Sequence, residues 1–199
     1  AYVDVIGEGV DGVGVTQDWT YNAGASKSGS VVGGKDRNGK VRWTVTLAGE
    51  GLKKTDGINF EDTIGAGQKL CKPENVKIVQ RKGPTSEADT DVTGQFDTTI
   101  TPNGDRTAFS FKADIKSTSD FDFKGKPYYY LISYDTCATE EGLPAGGTKY
   151  SNTVKIGEKE ITGGATVPGR NYAKSGNISD QTRTIDGKEH LPQPTIDWT

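Results

Sequence analysis

The stretch VRWTVTL, residues 41–47, decides the fold class. Apolar and polar side chains alternate along it with a period of two, and most of its residues are β-branched or aromatic. This pattern is typical of a β-strand that has one face in a core and the other in water. The apolar face comprises Val41, Trp43, Val45 and Leu47.

Strand-like stretches also flank this one, separated by turn signals such as Asn38-Gly39 and Pro102-Asn103-Gly104. A sustained helical period is absent from the sequence. About nine short strands without helices predict an all-β, immunoglobulin-like β-sandwich with Greek-key connections. The predicted strands other than 41–48 cover residues 2–6, 27–31, 56–64, 75–80, 95–101, 106–115, 127–137 and 149–157.

The composition of this 199-residue chain excludes several classes of function. A net charge of −3 offers no basic surface for nucleic acid or for anionic membranes, and no apolar run is long enough to span a bilayer. The single histidine, His190, leaves no Ser/His/Asp or Cys/His pair and no His/Cys metal cluster. We therefore predict no nucleic-acid partner, no membrane contact, no cofactor, no metal and no enzymatic turnover.

Cys71 and Cys137 are the two cysteines of the chain, and each follows strand-like residues. In a secreted β-protein such a pair is most simply a disulfide. Two buried free thiols are the alternative. We predict the Cys71–Cys137 disulfide.

Three polar residues, Lys27, Asp62 and Asn152, share a strand face with apolar neighbours. We expect them to point into the core of the sandwich, because side chains two positions apart lie on the same side of a strand. The adjacent Glu61 points the other way. The apolar residues in phase with the three are Val31 for Lys27, Ile58 and Phe60 for Asp62, and Tyr150 and Val154 for Asn152.

A Lys, an Asp and an Asn that meet in an apolar core can react. Burial lowers the pKa of the amine and raises the pKa of the carboxyl group. The neutral amine is then a nucleophile, and the protonated Asp can polarise the carboxamide and pass a proton to the leaving ammonia. The product is a Lys–Asn isopeptide bond, made once and without a cofactor. The alternation of polar and apolar residues is also consistent with another arrangement, in which the three polar residues do not meet and each forms its own hydrogen bonds.

Four motifs follow one another in a characteristic order: Lys27-Ser28-Gly29, VRWTVTL, FEDTIGAGQ at 60–68 and YSNTV at 150–154. In this order they resemble the collagen-binding-type adhesin domains of Gram-positive bacterial surface proteins. In that family a WTV strand follows the lysine strand, a DT strand end carries the catalytic acid, and a Y-x-N-T strand closes the fold. The resemblance covers residues from about 25 to 157.

The resemblance implies an isopeptide bond between Lys27 and Asn152, with Asp62 as its catalyst. Lys35, in the predicted turn before the central strand, is the rival nucleophile. The implied function is a structural stalk module of an extracellular, cell-wall-anchored adhesin. A domain that binds a host matrix protein such as collagen is the alternative. In the stalk interpretation, another part of the full-length protein would bind the host matrix protein or glycan.

Motifs of the first 45 residues recur near the end of the chain, at offsets of roughly 150 residues. The Lys-Ser-Gly triplet at 27–29 recurs at 174–176, and the Trp-Thr pair at 43–44 recurs at 198–199. We therefore expect a piece of a longer protein with tandem copies of one domain. In this interpretation residues 1–22 end a preceding repeat, 23–157 form the sandwich, and 158–199 are a linker and the first hairpin of a following repeat, so that Lys174 is the equivalent of Lys27.

Overall fold

The fold is described from a computed structural model. It covers residues 24–32, 39–83, 86–139 and 148–167, and the backbone of four strands at 176–179, 183–185, 188–190 and 195–198. The chain divides into two compact units after Gly169. The predicted strand at 2–6 and the residues Lys35 and Lys174 lie outside the described residues.

Two antiparallel sheets form the first unit, and each contributes one face to a common core. The described residues contain eleven strands in these sheets and three single-turn 3₁₀ helices, but no α-helix. The 3₁₀ helices are Gly49–Gly51, Ser86–Ala88 and Thr93–Gln95. This architecture confirms the predicted all-β, immunoglobulin-like sandwich.

The first sheet has the strand order β1-β2-β9-β5-β6, and β4 pairs with the end of β9. Its strands are β1 (Ala25–Val31), β2 (Val41–Ala48), β4 (Gln68–Leu70), β5 (Lys77–Lys82), β6 (Thr90–Asp91) and β9 (Tyr128–Ala138). The second sheet has the order β11-β10-β3-β8-β7. Its strands are β3 (Ile58–Ile64), β7 (Phe96–Pro102), β8 (Ala108–Ile115), β10 (Thr148–Ile156) and β11 (Lys159–Val167).

The central strand β2 has the alternation that its sequence predicts. Its four apolar residues, at positions 41, 43, 45 and 47, are buried, whereas Arg42 is exposed and forms a two-pronged ion pair with Asp135 of β9. Trp43 is fully buried, and its indole N–H donates a 2.8 Å hydrogen bond to Thr136 Oγ1. A buried indole nitrogen needs such a partner, so β2 is held to β9 by side chains as well as by backbone pairing.

Strand β10 is followed by a further strand of the sandwich. The sequence analysis places the last strand at 149–157, but β11 turns back at Gly157 and pairs with β10 over its whole length. The prediction that 149–157 closes the sandwich is therefore wrong. The Gly163-Gly164 pair in β11 looks like a turn signal in the sequence, and this hides the strand.

The second unit contains two short antiparallel ladders. Strand β12 (Gly176–Ser179) pairs with β15 (Thr195–Trp198), and β13 (Arg183–Ile185) pairs with β14 (Lys188–His190). Within the first ladder Gly176 is the partner of Trp198, just as Gly29 is the partner of Trp43 in the first unit.

Candidate functional site

Lys27 lies on β1, at the edge of the first sheet, opposite Val45 of β2. Small residues surround it on this strand, which reads ASKSGSV. Gly29 is required there, because a Cβ atom at this position would lie 2.6 Å from the ring of Trp43. With the edge strand so close to the core, the lysine side chain points between the sheets and is only 4% exposed.

Asp62 and Asn152 come from neighbouring strands of the second sheet. Asp62 lies on β3 opposite Val154 of β10, and Asn152 lies two residues before that valine, opposite Ile64. Both side chains therefore lie on the core face, and each is 1% exposed. The burial of Asp62 and the exposure of Glu61 agree with the predicted phase of this strand.

The structure brings Lys27, Asp62 and Asn152 together. The Lys27 ammonium donates hydrogen bonds to Asp62 Oδ2 and, over 2.9 Å, to the Asn152 carboxamide oxygen Oδ1. The amine thus lies next to both the acid and the carboxamide. These contacts join two sheets and span 125 residues of sequence.

Burial shifts the ionisation of the pair in opposite directions. Desolvation lowers the pKa of Lys27 from 10.5 to about 8, although the charge of Asp62 and its hydrogen bond to the amine act the other way. Desolvation also raises the pKa of Asp62 against the opposing effect of Lys27. Asp62 Oδ1 is buried and has no hydrogen-bond partner among the described residues. An unpaired carboxylate oxygen is costly to bury, which favours the neutral carboxyl group and the neutral amine.

Tyr134 of β9 is the residue of the site that the sequence analysis missed. It is 1% exposed, and its hydroxyl group donates a hydrogen bond to Asp62 Oδ2. The Tyr134 hydroxyl oxygen accepts hydrogen bonds from Lys27 Nζ over 2.6 Å and from Asn152 Nδ2 over 3.3 Å. The only sequence signal for Tyr134 is its position in the alternation of the aromatic strand 127–137. This position does not identify the groups that its hydroxyl group contacts.

An aromatic wall and a glycine complete the surroundings of the amine. The Lys27 Nζ atom lies 5.8 Å from the centre of the Trp43 ring, within cation–π distance. It lies 5.3 Å from the centre of the Tyr134 ring, on the side of the hydroxyl group with which it is hydrogen-bonded. Gly163 of β11 pairs with Asn152 and also contacts Lys27. A Cβ atom at Gly163 would lie 3.1 Å from Lys27 Cγ and 3.1 Å from its carbonyl oxygen.

The predicted disulfide between Cys71 and Cys137 is present, and it confirms that assignment. It joins the residue that follows β4 to β9 within the first sheet, so it is separate from the lysine site. Within the described ranges, no three His, Cys, Asp or Glu side chains are grouped as metal ligands would be. None of the helices described is long and apolar enough to cross a membrane.

Comparison with solved structures finds similar folds among bacterial surface proteins. The collagen-binding subdomain of the Enterococcus faecalis surface protein ACE is 15% identical, with a TM-score of 0.43 over 75% of this chain and 99% of that one. The collagen adhesin of S. aureus is 13% identical, with a TM-score of 0.45 over 74% of this chain and 50% of that one. A longer structure of Enterococcus faecalis ACE is 16% identical, with a TM-score of 0.48 over 76% of this chain and 52% of that one. The chain thus matches about half the length of the last two proteins.

A search of curated proteins found no significant match. A family model described as "Domain of unknown function (DUF7926)" matches residues 22–184. This match includes the whole site, from Lys27 to Gly163, and more than half of the chain. The chain therefore belongs to the DUF7926 family of domains of unknown function.

Proposed function

We propose that this domain crosslinks itself once, through an isopeptide bond between Lys27 and Asn152, and that it serves as a structural module of an extracellular adhesin. One observation carries the proposal. The Lys27 amine lies 2.9 Å from the Asn152 carboxamide oxygen, in a buried site in which the amine also contacts Asp62.

The reaction needs a neutral amine and an acid at the carbonyl group. Asp62 takes one proton from the Lys27 ammonium, which leaves a neutral amine and a neutral carboxyl group. The amine attacks Asn152 Cγ while the carboxyl group donates a hydrogen bond to the carbonyl oxygen. The Cγ–Nδ2 bond then breaks, one proton passes from Nζ to Nδ2, and ammonia leaves.

The role of a stalk module is supported by the position of the bond and by the repeated motifs. The bond would tie β1 in one sheet to β10 in the other, so that the sheets could not separate without breaking a covalent bond. The Gly–Trp pairing of the second unit repeats the register of the first. Tandem copies of a sandwich give an extended array, as the sequence resemblance to surface adhesins implies.

The first experiment is the intact mass of the purified chain after reduction. We expect a mass lower than the sequence mass by one ammonia, and one peptide pair joined through Lys27 and Asn152 after digestion. A reduced mass equal to the sequence mass would contradict the crosslink. Binding of the intact domain to collagen would then be measured, because a collagen-binding domain is the alternative function.

The variant Asp62→Asn tests the role of the acid separately from that of the nucleophile, because it removes the carboxyl group and keeps the Lys27 amine. Because Asp62 raises the pKa of Lys27, its removal lowers that pKa further and leaves the amine more neutral. We nevertheless expect the ammonia loss to disappear, because no acid remains at the carbonyl group. Asp135→Asn is the matched control, since Asp135 is also buried and paired with cations but lies away from the site. Loss of ammonia from D62N at the rate of the parent would exclude Asp62 as the catalyst.

A further inference from the structure

The crosslinking reaction poses a problem of proton transfer that Asp62 alone does not solve. Attack by the amine leaves an extra proton on Lys27 Nζ, and ammonia leaves only after Asn152 Nδ2 has gained one. Direct transfer between two nitrogens on the same carbon passes through a strained four-membered ring. In the proposed mechanism Asp62 meanwhile donates its hydrogen bond to the carbonyl oxygen. A third group that contacts both nitrogens would remove the difficulty.

The Tyr134 hydroxyl group is in contact with both nitrogens. Its oxygen accepts hydrogen bonds from Lys27 Nζ at 2.6 Å and from Asn152 Nδ2 at 3.3 Å, and its hydrogen is donated to Asp62. A hydroxyl group has one donor and two acceptor sites, so the three reacting groups fully occupy it.

The position of the Tyr134 ring is fixed by its surroundings. Tyr134 pairs with Trp43 across the β2–β9 ladder. Its ring packs edge-to-face against Phe109 of the second sheet, with centroids 4.9 Å apart. The hydroxyl group is therefore held at the reacting atoms by elements of both sheets.

We propose that Tyr134 is a second catalytic residue of the crosslinking reaction and relays a proton from Lys27 Nζ to Asn152 Nδ2. This inference depends on the proposed crosslink. As the Nζ–Cγ bond forms, Oη accepts a proton from Nζ and its own hydrogen turns to Nδ2. As the Cγ–Nδ2 bond breaks, ammonia leaves with that hydrogen. Tyr134 ends as the phenol it was at the start, so the step consumes no other reagent.

A relay must remain protonated between transfers. Burial raises the pKa of Tyr134 well above its usual value of 10, and the charge of Asp62 acts in the same direction. The side chain is therefore a phenol at neutral pH. It can transfer a proton in a concerted exchange but does not accumulate as a phenolate.

The test compares Tyr134→Phe with Tyr130→Phe by following the fraction of newly purified protein that has lost one ammonia over time. Tyr130 is a matched control, because it lies on the same strand and the same face, is fully buried, and accepts hydrogen bonds from Gln80 and from the Lys124 backbone. We expect the parent and Y130F to lose ammonia equally fast. For Y134F we expect a rate lower by at least about 100-fold, the usual contribution of one acid–base group.

The outcomes distinguish this inference from the proposed function. No ammonia loss from the parent contradicts the crosslink itself. Equal rates for the parent and Y134F overturn the relay and leave the crosslink intact. If Y134F does not fold, site-specific 3-fluorotyrosine at position 134 replaces it, because this residue keeps the hydroxyl group and changes its acidity. A relay predicts a changed rate for that variant, whereas a rate equal to that of the parent overturns the inference.

Discussion

Lys27 is a cation in surroundings that disfavour charge. Its pKa of about 8 means that burial outweighs the attraction of Asp62. A buried ion pair of this kind contributes little stability, because the loss of hydration offsets the attraction between the charges. Conversion of the amine to an amide would remove the cation altogether, so the proposed bond would relieve the unfavourable burial that makes the amine reactive.

An uncrosslinked variant should become more stable as the pH rises from 8 to 10. In Asn152→Ala the folded chain releases the Lys27 proton near pH 8, whereas the unfolded chain keeps it until about 10.5. Between these values the unfolded state binds more protons, so a rise in pH favours the folded state. We expect the free energy of unfolding, measured with urea, to increase by up to about 1.4 kcal/mol per pH unit.

The control for this pH dependence is Lys27→Met in the same Asn152→Ala background. It replaces the amine by an apolar side chain of similar length and should abolish the increase between pH 8 and 10. An equal increase in both variants would mean that groups other than Lys27 cause it.

At the residue scale, sequence periodicity identifies which side chains are buried but not which of them meet. The apolar neighbours of Asp62 and Asn152 correctly predict that both lie on the core face. The contact of the Tyr134 hydroxyl group with three residues depends on strand order, because β9 and β3 belong to different sheets. No local pattern around Tyr134 contains that information.

At the scale of elements, β11 covers Lys27 and Asn152. It pairs with β10 at Asn152 through Gly163, and this glycine lies against Lys27 of β1. Strand β11 thus covers the edge of the sandwich at which the side-chain hydrogen bonds of Lys27 link the first sheet to the second. Its glycine is there because the lysine backbone comes too close for a Cβ atom to fit easily.

Gly163→Ala should slow crosslinking without preventing folding. The added methyl group would lie 3.1 Å from Lys27 Cγ, so the amine must shift by a few tenths of an ångström. Small displacements of reacting atoms reduce rates strongly, and we expect about a tenfold slower loss of ammonia. The measurement is the time course of intact mass.

Gly164→Ala is the matched control for this strand. The nearest heavy atom to its added methyl group is the Tyr150 carbonyl oxygen at 4.0 Å, so there is room for it. In both variants the change from glycine to alanine restricts the backbone of the unfolded chain and raises the strand propensity by the same amount. Equal rates for the two would show that Gly163 does not position Lys27.

The elements that the sequence predicts best are the long strands that alternate clearly, such as β2 and β3. Strands β4 and β6 have only three and two residues, too few for a period to be recognised. Strand β11 is missed for a different reason. Gly163 of its glycine pair packs closely against Lys27 of β1, whereas in sequence a glycine pair indicates a turn.

At the scale of the whole molecule, the disulfide and the proposed isopeptide bond have separate tasks. The disulfide closes 66 residues within the first sheet. The isopeptide bond would join the first sheet to the second. In sequence, the disulfide loop lies entirely inside the loop from Lys27 to Asn152.

Removal of the disulfide should lower stability and leave the crosslink unaffected. For Cys71→Ser with Cys137→Ser we expect a loss of about 4 kcal/mol in the free energy of unfolding, from the chain entropy of a loop of this length. The urea measurement uses the Asn152→Ala background, so that only one covalent tie changes. With Asn152 present, the double serine variant should still lose one ammonia. A loss of stability below about 1 kcal/mol would contradict the entropy estimate.

The second unit supports the proposed repeat through a detail of its register. Trp198 follows Gly176 by 22 residues, whereas Trp43 follows Gly29 by 14, although the two pairs occupy equivalent ladder positions. The difference of eight residues equals the length of the β13–β14 hairpin, from Arg183 to His190. If the two units are repeats, as proposed, an inserted hairpin would account for the unequal offsets of the motifs.

Asn152 and Thr153 both pair with β3 on one side of β10 and with β11 on the other. Asparagine in proteins also ages by another reaction, in which the backbone nitrogen of the next residue attacks the side chain and a cyclic imide forms. That attack requires the Asn152–Thr153 peptide to rotate, which would break ladder hydrogen bonds on both flanks of β10. The ladder pairing thus disfavours deamidation at this position, which would preserve the amide for the proposed reaction with the lysine.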